Sequence, residues 1–421
     1  MYTESNLALA PALNRHRTRA AAAVAWVFSG CLAFAQGAAP IGPLTLEAAL
    51  ERAAVANPAI AAARLRQGIA LSGVAVARER LNPEARVEFE RETPTRNYSL
   101  AVPLELGGKR SRRIAVGEAG VRTTEAELAQ TLFEVRTLVR AAYFATVIAD
   151  ARLTLSEEVQ GIATRARDAA QQRFDAGSAP RLELLQAQLA LAQVQNETIL
   201  ARATAAATRV HLNALLAFPL DTPVVLSTTL DAAPGLATQT LIERARTSNA
   251  ELAVLDRRIE EQQLRIALAR AMQVPDVTPE GTITRGAEPE FSTGWRAALG
   301  VTLPLFTRHK AGVLLEEAML TQLRTEREAT LARITGEVTS AVALVDAQRQ
   351  QYLRYRDQIL PQALEVERLA EDSYRLGQTG IVALLQAFQA SRDVRLQSLQ
   401  IASEFQTTLG DLEHSIGAPI P

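Results

Sequence analysis

Arg173-Phe174-Asp175-Ala176-Gly177, followed at a short interval by Leu184-Leu185-Gln186-Ala187, is written a second time further along the chain. There the residues read Ser373-Tyr374-Arg375-Leu376-Gly377 and then Leu384-Leu385-Gln386-Ala387, so that Gly377 follows Gly177 by 200 positions. Pro103-Leu104 answers Pro304-Leu305, and Lys109 answers Lys310, the two lysines of the chain, both at an interval of 201. Upstream, Asn57 answers Asn249 and Pro83 answers Pro275, both at 192, so the second copy carries nine extra residues (201 less 192) between its prolines. Solenoid units run to about 20–50 residues; an interval this long is a duplicated domain. The copies span residues 45–215 and 238–414, with 216–237 as a connector and 415–421 as a short tail.

Each copy has one internal order. In the first, Leu46–Ala56 reads as a short helix halted at Asn57-Pro58, a cap followed by a residue suited to the first helical position. A helix to about Arg80 follows. Ala85, Val87 and Phe89 then alternate with Arg86, Glu88 and Glu90, and Tyr98, Leu100, Val102 and Leu104 alternate with Ser99, Ala101 and Pro103. A period of two with one apolar face is a half-buried hairpin, here about 85–104. From Ser111 to Phe174 no strong breaker occurs, and Leu128, Leu132, Val135, Val139 and Ala142 repeat at four-three-four-three, a coiled-coil seam. Gly177 and Pro180 break that helix, and another returns to Leu215. The second copy predicts a strand pair at about 278–304, weak near Thr278–Arg285 and clear from Trp295 to Leu303, and a hairpin tip near Gly377.

Lengths constrain how these parts assemble. A helix of roughly 64 residues spans about 95 Å, and a returning helix of roughly 35 covers about half of it. The uncovered apolar seam is costly in water, so the helix from Pro58 is expected to stack end to end on the returning one. Four strands cannot close a barrel by themselves, since the smallest membrane barrels have about eight. Open edges are not tolerated in a bilayer, so copies of the chain must join to close it.

The N-terminus reads as an export leader over residues 1–35. Arg15, Arg17 and Arg19 precede an apolar run from Ala20 to Ala35 that ends in the small-x-small pattern Ala33-Phe34-Ala35. Phe28-Ser29-Gly30-Cys31 approximates a lipoprotein signal, with Cys31 the residue that would be acylated; the reading favours cleavage after Ala35. The leader's run is too short to span a bilayer, and no later segment reads as a transmembrane helix.

Composition excludes other classes. With 45 Lys+Arg against 46 Asp+Glu there is no electrostatic case for nucleic acid. One cysteine rules out a disulfide framework, and His16, His211, His309 and His414 stand outside metal-ligand spacing, so no metal or cofactor is expected. There is no phosphate loop, nucleophile elbow or zinc helix to support an enzyme.

Exported chain, tandem duplication, paired strands between helices and glycine-bearing tips together resemble the TolC family of outer-membrane efflux factors. Val102-Pro103-Leu104-Glu105-Leu106-Gly107-Gly108-Lys109-Arg110 resembles its cation-efflux branch, the CzcC- and CusC-like proteins. The resemblance implies a homotrimer: long helical coiled-coil hairpins forming a periplasmic tunnel, below a 12-stranded outer-membrane barrel to which each chain gives four strands. It also implies a periplasmic adaptor and an inner-membrane pump of the resistance-nodulation-division type as partners, with metal cations or small molecules as cargo. On that reading Val87, Phe89, Leu100, Val102, Leu299 and Val301 face outer-membrane lipid, Arg296 faces the lumen, and Gly177, Leu184, Gly377 and Leu384 mark the adaptor-contact tips. Glu365, Glu367, Glu371 and Asp372 read as a solvated helix face, or else as a negative ring at a constriction. A periplasmic adaptor would be expected to have one hairpin, and a structural coiled coil would leave strands and leader unexplained.

Overall fold

A computed structural model of the chain describes residues 43–92, 94–227 and 238–420. The leader with Cys31 and the second part of the connector, 228–237, lie outside the described residues.

The first repeat opens with α1 (Leu46–Ala56), capped by the Thr45 hydroxyl, which accepts from the Ala48 amide. Asn57 then joins three helices. Its side-chain oxygen accepts from Ala59 N–H to start α2 (Pro58–Arg78), and its amide donates at 2.9 Å to Leu215 O. Leu215 ends the returning helix, so α2 abuts it end to end as the lengths require. After β1 (Glu84–Phe89) and β2 (Arg96–Ala101), α3 (Lys109–Asp175) runs unbroken for 67 residues, about 100 Å. It reverses into α4 (Arg181–Leu215). The second repeat gives α5 (Thr238–Ser248), α6 (Ala250–Ala271), β3 (Val277–Ala287), β4 (Phe291–Val301), α7 (Lys310–Arg354), α8 (Leu360–Arg375) and α9 (Ile381–Ile416). Asn249 repeats the joint: it caps α6 and donates at 2.9 Å to Ser415 O, near the end of α9.

Each repeat has its own core. Val135, Val139, Ala142 and Tyr143 of α3 pack against Ala49, Ala53, Ile60, Leu212 and Leu216, with Leu128 and Leu132 alongside, so the heptad seam is the core stripe. Ile334, Val338, Ala341 and Val342 take those places in the second core, 199 residues on, against Leu241, Ala245, Leu252, Leu412 and Ile416.

Four features differ from the sequence reading. The second long helix is interrupted by a π-helical turn, Tyr355–Ile359, just before Pro361. Proline has no N–H to give and crowds the carbonyl four residues earlier, and a widened turn accommodates both. The last helix passes residue 414 to Ile416, and Ala418 and Ile420 pack on the second core, so 415–420 belongs to the repeat. Connector residues Leu216, Phe218, Val224 and Leu226 are buried in the first core. Finally, α2 is long and apolar enough to cross a membrane by length and composition, yet most of its surface is uncovered within the chain.

The four strands form one antiparallel sheet in the order β1-β2-β3-β4. β1 and β2 have six residues each, β3 and β4 eleven. The nine extra residues of the second copy therefore lengthen its hairpin. Ala85↔Leu100 in one hairpin and Val277↔Val301 in the other are pairs at the same intervals of 192 and 201, so the two hairpins share one register.

Candidate functional site: a two-faced sheet and strapped tips

Directly opposed residues of an antiparallel ladder point to the same side. Following the register across the sheet, Ala85, Leu100, Gly281 and Ala297 form one row, and Val87, Tyr98, Ile283 and Trp295 the next. Pro279 with Leu299 and Val277 with Val301 extend this apolar face, and Val102 joins it by donating its amide to Pro279 O. The opposite face has rows of Glu84, Ala101, Glu280 and Ala298, then Arg86, Ser99, Thr282 and Arg296, then Glu88, Asn97, Thr284 and Gly294. Val87, Leu100, Val102, Leu299 and Val301 stand in the apolar rows, Phe89 stands on the same face in an end row with Arg96, Arg285 and Thr293, and Arg296 stands on the opposite face. That apolar face is bare within the chain: Trp295 is 83 % exposed.

Below the sheet, Gly107 and Gly108 both take positive φ, and a Cβ on Gly107 would fall 2.8 Å from Val274. The tight turn delivers Lys109 to the start of α3, where it is buried and its ammonium lies 2.7 Å from the Asp276 carboxylate. Asp276 also accepts from the Leu106 amide. Burial pushes the Asp276 carboxyl up, but the hydrogen bonds from Lys109 and Leu106 outweigh it and hold the group below its ordinary range. Lys310 starts α7 as Lys109 starts α3, after a left-handed residue, but stands exposed.

At the far end the two hairpins end in the same way. Gly177 (φ 70°) donates to Phe174 O and Ser178 to Arg173 O; Gly377 (φ 71°) donates to Tyr374 O and Gln378 to Ser373 O. This is the paired bonding of a Schellman stop, which calls for a left-handed residue. Around either glycine the space for a Cβ is open. Leu184 and Leu384 are buried, so they hold the hairpins together, while Leu182, Leu376 and Val382 present apolar surface at the tips.

A strap between the tips was not legible in the sequence. Tyr374 and Glu183 are 191 residues apart; the Tyr374 hydroxyl donates at 2.9 Å to Glu183, which Arg173 also approaches at 3.2 Å. Beneath them Ala166, Tyr374, Ile381 and Leu384 form a small core. Burial and the neighbouring Glu183 raise the pKa of the Tyr374 phenol, so it stays a donor. Higher up, Arg392 meets Glu197 and Arg395 meets Glu158 across the same joint. The acidic run is mostly spoken for: Glu365 and Asp372 pair with Arg368, and Glu367 accepts from Ser391. His414 stacks on Phe133, and among the described residues no His, Cys, Asp or Glu cluster could hold a metal.

An exported, duplicated chain with a two-faced open sheet on long strapped hairpins defines an outer-membrane conduit. The family described as outer membrane efflux protein matches residues 49–217 and 241–418, and the chain belongs to it. Among its relatives is the cobalt-zinc-cadmium resistance protein CzcC of Cupriavidus metallidurans, 25 % identical over 382 residues, covering 89 % of this chain and 90 % of that one. The fold matches the CusC channel at a TM-score of 0.73, with 17 % identity over 92 % of this chain and 96 % of that one. It matches the Campylobacter jejuni CmeC outer membrane channel at 0.74, with 16 % identity over 88 % and 85 %. The chain is thus an outer-membrane channel of efflux pumps, extending into the periplasm, and its four strands are its share of a trimeric barrel.

Proposed function

We propose that this channel is the passive outer conduit of a pump that expels divalent transition-metal cations. Similarity to a cobalt-zinc-cadmium resistance protein along nine-tenths of the chain carries the reading. The inner-membrane motor is of the resistance-nodulation-division type, joined through a periplasmic adaptor. The chain catalyses nothing, and its cargo is selected upstream by the pump.

The residues have defined parts in this scheme. The face that bears Val87, Phe89, Leu100, Val102, Leu299 and Val301 meets lipid, and Glu84, Glu88, Glu280, Arg86 and Arg296 face the water-filled lumen. The turns at Gly177 and Gly377, with exposed Leu182, Leu376 and Val382 beside them, meet the adaptor. Deleting the chain in its host should lower tolerance to zinc, cobalt and cadmium salts and raise their cellular content, leaving tolerance to organic toxicants unchanged. Unaltered tolerance to all three cations, with loss for organic compounds, would reject this cargo.

A further inference from the structure

The joint between the two repeats inside one chain is a template for the joint between two chains. Within the chain, α6 of the second repeat lies along α3 of the first: Arg258 reaches Glu127 at 2.8 Å, Thr123 donates to Glu261, and Arg112 donates to Ala267 O. In a closed ring of repeats, α7 must receive the α2 of the next chain in the same way. Matched residues fix the interval for each of the two elements. Asn57/Asn249 and Ile60/Leu252 place α2 and α6 at 192, while Val135/Ile334, Val139/Val338 and the ion pairs Arg78–Glu118 and Arg270–Glu317 place α3 and α7 at 199.

Applied to Arg258 and Glu127, these intervals land on Arg66 and Glu326, again an arginine and a glutamate. Their charges are opposite, as in the pair inside the chain. Among the described residues neither makes an ion pair, whereas their neighbours Arg78 and Arg327 do. Around them both helices leave apolar side chains uncovered. Ile69 of α2, 71 % exposed, stands where α6 has Glu261, and Val76, 64 % exposed, stands where it has Leu268. On α7, Leu315 and Met319 lie uncovered on the stripe that leads to Gln322 and Glu326. The sheet end repeats the pattern: Asp276 holds Lys109 within the chain, while Glu84 and Lys310, at 192 and 201, are both exposed and without a partner among the described residues.

We propose that the apolar face of α2 is a docking surface for a second copy of this chain, seated on that copy's α7 with Arg66 opposite Glu326. A helix apolar enough to be taken for a membrane span is on this account a protomer interface. Burying such a stripe between copies is the stabilisation that a solvent-exposed one lacks. The proposal rests on the closed trimeric ring and adds which residues meet in it.

Full-length chains carrying Arg66→Cys and Glu326→Cys, assembled in the outer membrane, should give covalent dimers and trimers with a short bismaleimide. Arg258→Cys with Glu127→Cys, a pair inside one chain, should react without gain in mass. A heat-sensitive trimer that forms but yields no covalent dimer overturns this interface and leaves the channel reading standing. Failure of the unmodified chain to trimerise overturns both. An adduct of another mass in place of the dimer assigns the face to a different protein and also overturns the proposal. Should the cysteine pair assemble poorly, charge reversal serves instead. Glu326→Arg should lower trimer yield by about two- to fivefold per joint, and Arg66→Glu added to it should restore the yield; no restoration refutes the pairing.

Discussion

Placing an arginine along β4 should report membrane depth residue by residue. Eleven residues at about 3.4 Å, tilted by about 40°, rise about 26–29 Å, the height of an apolar barrel band of about 25 Å. Val301 adjoins the helices and Phe291 the opposite end, with Leu299, Ala297 and Trp295 between them on one face. At about 2.6 Å of rise per residue, Leu299 lies about 5 Å inside the Val301 end and Ala297 about 10 Å, which puts the midplane between Ala297 and Trp295. Ala297→Arg should therefore cost about 2–4 kcal/mol per chain, Leu299→Arg about 1–2, and Val301→Arg about 0–1. Ala298 supplies the control: it faces the other way, across from Glu280, so Ala298→Arg should cost little and gain an acidic neighbour. Urea unfolding of liposome-inserted trimers, followed by heat-dependent gel mobility, gives the ranking. Equal losses at Ala297 and Ala298, or a profile flat from Val301 to Trp295, would refute the assigned faces.

Three further outcomes follow from the junctions. Tyr374→Phe removes a buried hydrogen bond to a carboxylate, worth about 1.5–3 kcal/mol, and should raise open-channel time in planar bilayers; unchanged open-channel time would show that the strap does not restrain the aperture. Asp276 has a depressed pKa in the fold, so its contribution is complete at neutral pH and lost as pH falls through the ordinary carboxylate range near 4 and below. Trimer melting should fall with acid more steeply for the native chain than for Asp276→Asn, which starts lower at pH 7; parallel curves would exclude the ion pair as the cause. Gly177→Asn with Gly377→Asn meets no steric obstacle and asks for a left-handed conformation that asparagine tolerates better than valine. Trimer yield should stay near normal while adaptor-dependent export weakens, and undiminished export would reduce both glycines to helix stops.

The long helices were legible because Leu128, Leu132, Val135, Val139 and Ala142 write their burial into one spacing, and all five line or flank the core. Asn57 and Asn249 announced their joints through local cap chemistry. β3 read weakly for a physical reason: its outward row contains Pro279 and Gly281, so the apolar alternation fades, and only pairing with β2 and β4 restores the register. The leucines after the tips gave a fixed distance but no direction; seeing them buried needs the opposing hairpin. The Tyr374–Glu183 strap joins residues from different repeats and has no local signature at all. Pro361 could have announced the π turn, since a proline inside an apolar helix must disturb it somewhere.

The strap has no twin. At an interval of 200, the places of Tyr374, Glu183 and Arg173 are taken in the other repeat by Phe174, Ala383 and Ser373, which have no hydroxyl on the ring, no carboxylate and no guanidinium. Six hairpins around a threefold axis therefore meet at two kinds of seam, and this tie belongs only to the seam inside each chain. On the trimeric arrangement, a load at the periplasmic mouth should part the ring first along the seams between chains, and loss of the strap in Tyr374→Phe should let the two hairpins of each chain part as well.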